Sequence, residues 1–289
     1  MKPDPHITPL PERIYTAESH IRHPRGLVQG LWKDLWRSRE LAWQLFVREI
    51  RQRYRQSVLG LLWILVPPLV TAMIFIVLNA QKILNIEPTT IPYPVYVLLG
   101  TLLWQIFSES VLLPLRSFDS CIPILTKIHM PRKAPILAAL AQAGFFAAVQ
   151  MLPALGVMIW SGVVLTSALL LVPLVILMVI LFGIAIGLLL VPLGGLFRDV
   201  HEGSAFALKL AFFLTPIGYP APKEWPWSLL VSLNPLLPLL QGARDLMATG
   251  SMSDPIGFWI SSVATCLLLA VALLFYRLAT PIVLERMGA

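Results

Sequence analysis

Charge is scarce in this chain of 289 residues. Only 13% are Asp, Glu, Lys or Arg, about half the share in soluble globular domains. Apolar residues fill the deficit at 57%, and mean hydropathy is +0.77. A soluble enzyme and a disordered linker are both excluded by that balance. Cysteine is almost missing as well: Cys121 and Cys266 stand far apart, so neither a disulfide scaffold nor a thiolate metal site is expected. They read as small side chains at home in apolar surroundings. Catalytic signatures are absent too, with no GxxxxGK[ST] loop, HExxH or GxSxG, and His6, His20, His23, His129 and His201 lie scattered. No apolar run precedes residue 58, so the first such stretch is expected to act as an uncleaved signal anchor. Uphill work by this protein must draw on an ion gradient or on another polypeptide.

Long apolar runs are what the sequence has instead. A helix needs about 20 apolar residues to cross roughly 30 Å of hydrocarbon. Residues 59–79 and 93–115 each supply one, the second carrying Glu109. From Ala134 to Phe197 no side chain is charged. As one helix that stretch would be about 96 Å long, so it is read as two spans, 135–159 and 164–193, turning at Trp160-Ser161-Gly162. A shorter run at 203–219 contains Lys209, and 256–280 is the last. Between them Pro220, Pro222, Pro226, Pro235 and Pro238 interrupt an apolar segment. Short re-entrant outer helices are the expectation there, since broken backbone at membrane depth must be surrounded by protein or a wet cavity.

Positive charge sets the orientation. With the N-terminus inside, inner segments hold eighteen Lys and Arg and outer segments three, as the positive-inside rule requires. The fold class is therefore an all-α polytopic membrane protein of six spans with both termini cytoplasmic. Its parts are a polar cytoplasmic extension at 1–37, an amphipathic helix at 38–57, a transmembrane domain at 58–280 and a cytoplasmic tail at 281–289. The net charge of +7 is explained by topology and calls for no nucleic acid.

Just before the first span, Trp43, Val47, Ile50 and Tyr54 fall on one helical face, and Gln44, Arg48, Arg51 and Arg55 on a neighbouring one. An apolar stripe beside a basic stripe suits a helix lying in the membrane interface. A juxtamembrane basic anchor and a specific anion-gathering role both fit it. The loop 117–133 leaves room for a short helix around Phe118–Leu125. It mixes apolar Ile122, Ile124, Leu125 and Ile128 with Lys127, Arg132 and Lys133. That mixture suits docking onto another protein, or a plain connector. Glu109 and Lys209 are ionisable groups within apolar runs, which face a cavity or partner or snorkel toward an interface. Gly183 and Gly187 form a GxxxG pattern, read as close helix packing.

Several stretches together resemble the ABC-2 type permeases of polysaccharide export. Residues Arg51, Tyr54, Ser57, Leu59, Gly60 and Trp63 reproduce that family's R-x-x-Y-x-x-S-x-L-G-x-x-W entry. Tyr93-Pro94-Val95-Tyr96 to Gly100, with Trp104 and Phe107-Ser108, is similar to its second span. Lys127 with Met130-Pro131-Arg132 resembles its K-x-x-F-P-R loop, Met130 replacing the usual aromatic residue. Phe197-Arg198-Asp199-Val200, Thr215-Pro216-Ile217-Gly218-Tyr219-Pro220 and Asn234-Pro235 followed by Arg244 resemble its C-terminal half.

The resemblance implies a bacterial inner-membrane permease that pairs with a second copy of itself and with two separate ATPase subunits. Such a complex exports lipid-linked glycans: O antigens, teichoic acids or capsules. ATP and Mg would be bound by the ATPases, and this chain would carry no cofactor, metal or catalytic residue. Arg48, Arg51, Tyr54 and Arg55 become the substrate entry. Ile122, Ile124, Leu125, Lys127, Arg132 and Lys133 become the ATPase-coupling loop. Trp104, Phe107, Phe145, Phe146, Lys209, Phe212, Phe213 and Tyr219 are candidates for a channel lining on which sugar rings slide. Two other classes compete. An ion-coupled secondary transporter needs midplane charges and repeated halves, for which only Glu109 and Lys209 offer themselves. A membrane enzyme needs clustered carboxylates or histidines, and Asp199, His201 and Glu202 form a faint group.

Overall fold

The computed structural model of the chain describes residues 24–55, 57–83, 86, 89, 91–125, 133–163, 166–220, 225 and 233–288. The chain divides into two units, Met1–Arg37 and Ser38–Ala289. Helix α1, Pro24–Tyr54, begins in the first unit and ends in the second. The second unit holds α2 (Val66–Ala80), α3 (Tyr93–Leu125), α4 (Ala134–Trp160), α5 (Val172–Leu196), α6 (Asp199–Leu214), α7 (Leu236–Ala248) and α8 (Pro255–Gly288). Single-turn 3-10 helices precede α2, at Gly60–Ile64, and α5, at Ser167–Leu171. No strand occurs among the described residues.

Four segments are long and apolar enough to cross a bilayer: Tyr93–Ile122, Ala134–Trp160, Ser167–Leu196 and Pro255–Val283. They coincide with the second, third, fourth and sixth expected spans. The turn expected after Trp160 is present, with Gly162 at φ +71°, in the left-handed region open to a residue without Cβ.

Elsewhere the boundaries move, for local reasons. The first expected span, 59–79, is broken. Gly60 sits at φ +53°, a 3-10 turn follows, and the α-helix starts only where Pro67 and Pro68 can occupy its first turn. The fifth, expected at 203–219, runs instead from Asp199 to Leu214, ending ahead of Pro216. No separate helix forms at Phe118–Leu125: that stretch continues α3 without interruption. The last helix likewise passes through Pro281 to Gly288, so residues 281–288 of the expected tail are helical.

Helices α3 and α5 form the centre. Helix α4 flanks α3, and α8 lies against α5. The closeness of the central pair is set by glycine. A Cβ on Gly183 would stand 2.6 Å from the Cβ of Ser110, and one on Gly187 would collide with the carbonyl of Val111 and with Pro114. The GxxxG pattern is thus a packing device, as expected. Around this pair, α2 and α6 keep long apolar side chains exposed, among them Met73, Ile74, Phe206 and Phe213.

Candidate functional site

The C-terminal part of α1 docks on α3 and α4 through small and apolar groups: Leu45 packs with Cys121, Ala134 and Ala138, flanked by Leu41 and Phe46. A polar clasp lies beside this contact. The Glu49 carboxylate accepts from Ser117 Oγ at 2.7 Å, from Ser120 Oγ at 2.8 Å and from the Gln142 amide. Arg48 donates to the Ser120 carbonyl and hydroxyl at 3.4 and 3.3 Å. Of the expected basic stripe, Arg48 is therefore turned into the helix contact, while Arg51 and Arg55 are exposed.

One helical turn beyond the clasp is a cavity of about 260 Å³, lined by Arg53, Tyr54, Ser57, Trp63, Ile64, Pro67, Gln105, Glu109 and Phe146. Glu109 is the centre of its polar wall. Arg116 Nη1 pairs with it at 2.9 Å and Arg53 Nη2 at 3.3 Å. The Arg53 guanidinium lies over the Phe146 ring, 4.9 Å from its centroid, within cation–π range. Burial lifts the Tyr54 phenol above its ordinary value. The positive charge of Arg53 opposes that shift and Glu109 adds to it. Tyr54 therefore keeps its proton at neutral pH and is a hydrogen-bond donor. Sequence reasoning singled out Glu109 but passed over Arg53, which is off the basic stripe. Only the arrival of Glu109 from 56 positions away reveals its role.

The candidate lining aromatics pack mainly against one another. Phe75, Phe212, Trp104, Phe107 and Phe182 form a chain with successive centroids 6.1, 5.8, 5.3 and 5.9 Å apart, joining α2, α6, α3 and α5. Phe46, Phe145 and Phe146 form a second group. Trp104, Phe107 and Phe146 are buried within the chain, and Phe145, Phe212 and Tyr219 are half-buried. Phe213 and Lys209, one turn apart on α6, are exposed.

In the candidate coupling loop, Ile122 is half-buried at the end of α3 and Lys133 half-buried at the start of α4. Both have partners. Lys127 and Arg132, and the side chains of Ile124 and Leu125, lie outside the described residues. Nearby, His201 Nε2 is 2.7 Å from Asp119 Oδ2, which ties the start of α6 to α3.

At the opposite end of α3 a second clasp forms, which sequence reasoning quoted only as motifs. Arg244 on α7, 5% exposed, donates from Nη2 to the Ile217 carbonyl at 2.9 Å and stacks on Tyr96 at 4.0 Å. Tyr93 donates to the Gly218 carbonyl at 2.9 Å. Asn234 donates to Thr215 Oγ1 at 3.2 Å and its own Oδ1 accepts from the Leu236 N–H, capping α7. Gly100 lies directly beneath Arg244 and Ile217, where a Cβ would collide with both.

Among the described residues no group of His, Cys, Asp and Glu is placed to hold a metal. Residues 40–248 match the family described as ABC-2 type transporter. The chain is 29% identical over 233 residues to the O-antigen export system permease protein RfbA of Myxococcus xanthus, covering 78% of this chain and 86% of that protein. A Klebsiella pneumoniae protein of the same name is 26% identical over 222 residues, 71% of this chain and 79% of that one. The polysialic acid transport protein KpsM of Escherichia coli is 27% identical over 249 residues, 81% and 91% of the two chains. Both clasps and the cavity fall within the matched segment, and the chain belongs to the ABC-2 type transporter family.

Proposed function

We propose that this chain is the membrane-spanning permease of an ATP-driven exporter of a lipid-linked, O-antigen-like polysaccharide. The observation that carries the reading is the family match over residues 40–248, together with relatives named for O-antigen export. The match to a polysialic acid transport protein over 81% of the chain favours a capsular glycan as the second reading, with the same architecture.

In this reading the chain lies in a bacterial inner membrane with six spans and both termini cytoplasmic. Helices α2 and α6 are the two short crossings, and α7 is a re-entrant outer helix. Two copies of the chain assemble with two ATPase subunits, which bind ATP and Mg. The exposed apolar faces of α2 and α6 support a contact with lipid or a second copy. The end of α1 then lies at headgroup level, where Arg51 and Arg55 gather anionic lipid. The stroke of the ATPase enters through the end of α3 and the loop that follows.

The test is reconstitution. The chain is coexpressed with its partner ABC ATPase, and glycan transport into inverted vesicles is measured. Transport is expected with ATP and not with a proton or sodium gradient alone. Gradient-driven transport without ATP would establish a secondary transporter instead. Replacing Ile124 and Leu125 by Asp is expected to release the ATPase or to unlink its hydrolysis from transport.

A further inference from the structure

The cavity beside the end of α1 combines features that no packing requirement explains. It keeps an open volume of about 260 Å³ between a polar wall and an apolar one. Drug-sized ligands occupy clefts of about 300–1,000 Å³, so this one, just below that range, has room for a group of headgroup size. Two arginines share a single carboxylate, leaving the cluster with a formal excess of positive charge. The sharing is unequal. Charge-assisted N–H···O bonds are about 2.7–2.9 Å long, and Arg116 meets that standard at 2.9 Å. Both Arg53 nitrogens face the same carboxylate in fork register, yet at 3.3–3.5 Å. Arg53 is 36% exposed at the cavity wall, Glu109 only 14%.

We propose that this cavity binds the phosphate headgroup of the lipid carrier, with Glu109 holding Arg53 in the position the phosphate takes over. The inference rests on the permease reading and assigns the chemistry of its entrance. A guanidinium fork matches phosphate oxygens as well as it matches a carboxylate, so the exchange needs no new geometry. Arg116 keeps Glu109 paired after Arg53 leaves it, which spares the carboxylate the penalty of standing alone. Tyr54, Ser57 and Gln105 line the same space and supply neutral donors. Ser57 Oγ already accepts from the Gly60 N–H at 3.0 Å, so its own proton is free to point inward. The lipid source follows from the opposite wall. Trp63 and Pro67 lead directly to exposed Leu69, Val70, Met73, Ile74 and Val77 on α2, an apolar track on which a hydrocarbon chain lies while its headgroup is inside.

The complex of permease and ATPase, held in lipid nanodiscs, is titrated with a fluorescent long-chain polyprenyl diphosphate. Arg53→Ala is expected to weaken binding at least tenfold, and Arg53→Lys, which keeps the charge but loses the fork, by less. Glu109→Gln is expected to tighten binding several-fold, because the competing anion is gone. If that variant folds poorly, Glu109→Asp withdraws the carboxylate by one methylene and carries the same expected sign. Inorganic diphosphate is expected to compete only at far higher concentration, since it has no chain for the α2 track. Equal affinity for inorganic diphosphate would overturn the lipid assignment. Unchanged binding in Arg53→Ala, or weaker binding in both Glu109 variants, would overturn the exchange. ATP-driven glycan transport by the unmutated complex is measured in parallel. Transport with no effect of Arg53 rejects this site alone, whereas absence of transport rejects the permease reading.

Discussion

Replacing Glu49 by Ala removes the acceptor on which the clasp at the end of α1 converges. Ser120 retains a partner, since its hydroxyl also donates to the Ser117 carbonyl at 2.9 Å. Ser117 and Gln142 do not fare as well. Both are buried, and without the carboxylate the Ser117 proton has no acceptor, while Gln142 keeps only a 3.3 Å bond to Ser117 Oγ. The Ser117 hydroxyl and the second N–H of the Gln142 amide are then orphaned buried donors, and at about 1–3 kcal/mol each the pair costs about 2–6 kcal/mol. That equals or exceeds the burial of Leu45, the main apolar anchor here, at about 1.5–3 kcal/mol. Taking the low end, about 2 kcal/mol raises the opening equilibrium of the docked helix roughly thirtyfold. Hydrogen–deuterium exchange of the complex in nanodiscs reads this directly. Amides of residues 46–54 are expected to exchange about thirtyfold faster, while those in the middle of α3 hold their rate. Glu49→Gln keeps one acceptor oxygen and is expected to show a smaller rise. Exchange in 46–54 that stays at the native rate in Glu49→Ala would refute the reasoning, because the helix would then be held by its apolar face alone.

Three further outcomes follow from other contacts. Gly187→Ala is expected to lower the thermal stability of the detergent-solubilised protein by more than 1 kcal/mol, on the scale of overpacking. Gly144→Ala, with nothing within 4 Å of the new methyl, is expected to be neutral or slightly stabilising, and the pair is compared by melting temperature. Arg244→Ala loses a charged bond to a buried carbonyl, about 1.5–3 kcal/mol, and is expected to expose the 215–219 segment to limited proteolysis in inside-in vesicles, with Arg244→Lys intermediate. Lys82→Cys, at an exposed position after α2, is expected to react with a membrane-impermeant maleimide added to whole spheroplasts; protection there would place that loop inside.

Element positions were legible where one physical signal dominated. An uncharged stretch from Ala134 to Phe197 forced two helices and a turn, and residues 93–115 left no alternative to a span. The signal weakened where backbone chemistry competes with hydropathy. Residues 59–65 are as apolar as any span, yet Gly60 and the Pro67-Pro68 pair delay the α-helix to Val66. The candidate site shows the same division. Glu109 stood out as a charge in an apolar run. Its partner Arg53 did not, because helical periodicity groups residues by face, whereas ion pairing across α1 and α3 is a tertiary fact. Glu49 was invisible for the same reason: its three donors come from two other helices. Trp104 and Phe107 were legible as aromatic residues on a span, but their burial against Phe212 and Phe182 depends on packing that one helix cannot display.

Helix α3 runs unbroken for 33 residues, about 50 Å of nearly inextensible rod. At one end Tyr93 and Tyr96 meet the 215–219 segment, and at the other Ser117 and Ser120 meet Glu49. Such a rod conserves its length, so a push on one tip emerges as translation or tilt, or as a bend at Pro114, whose missing N–H leaves the Ser110 carbonyl without its helical donor. A tilt of about 5° about one tip carries the other through about 4 Å, enough to exchange hydrogen-bond partners. The two ends of the bundle are therefore members of one lever. A motion that loosens the grip on α1 also shifts the ground under Arg244.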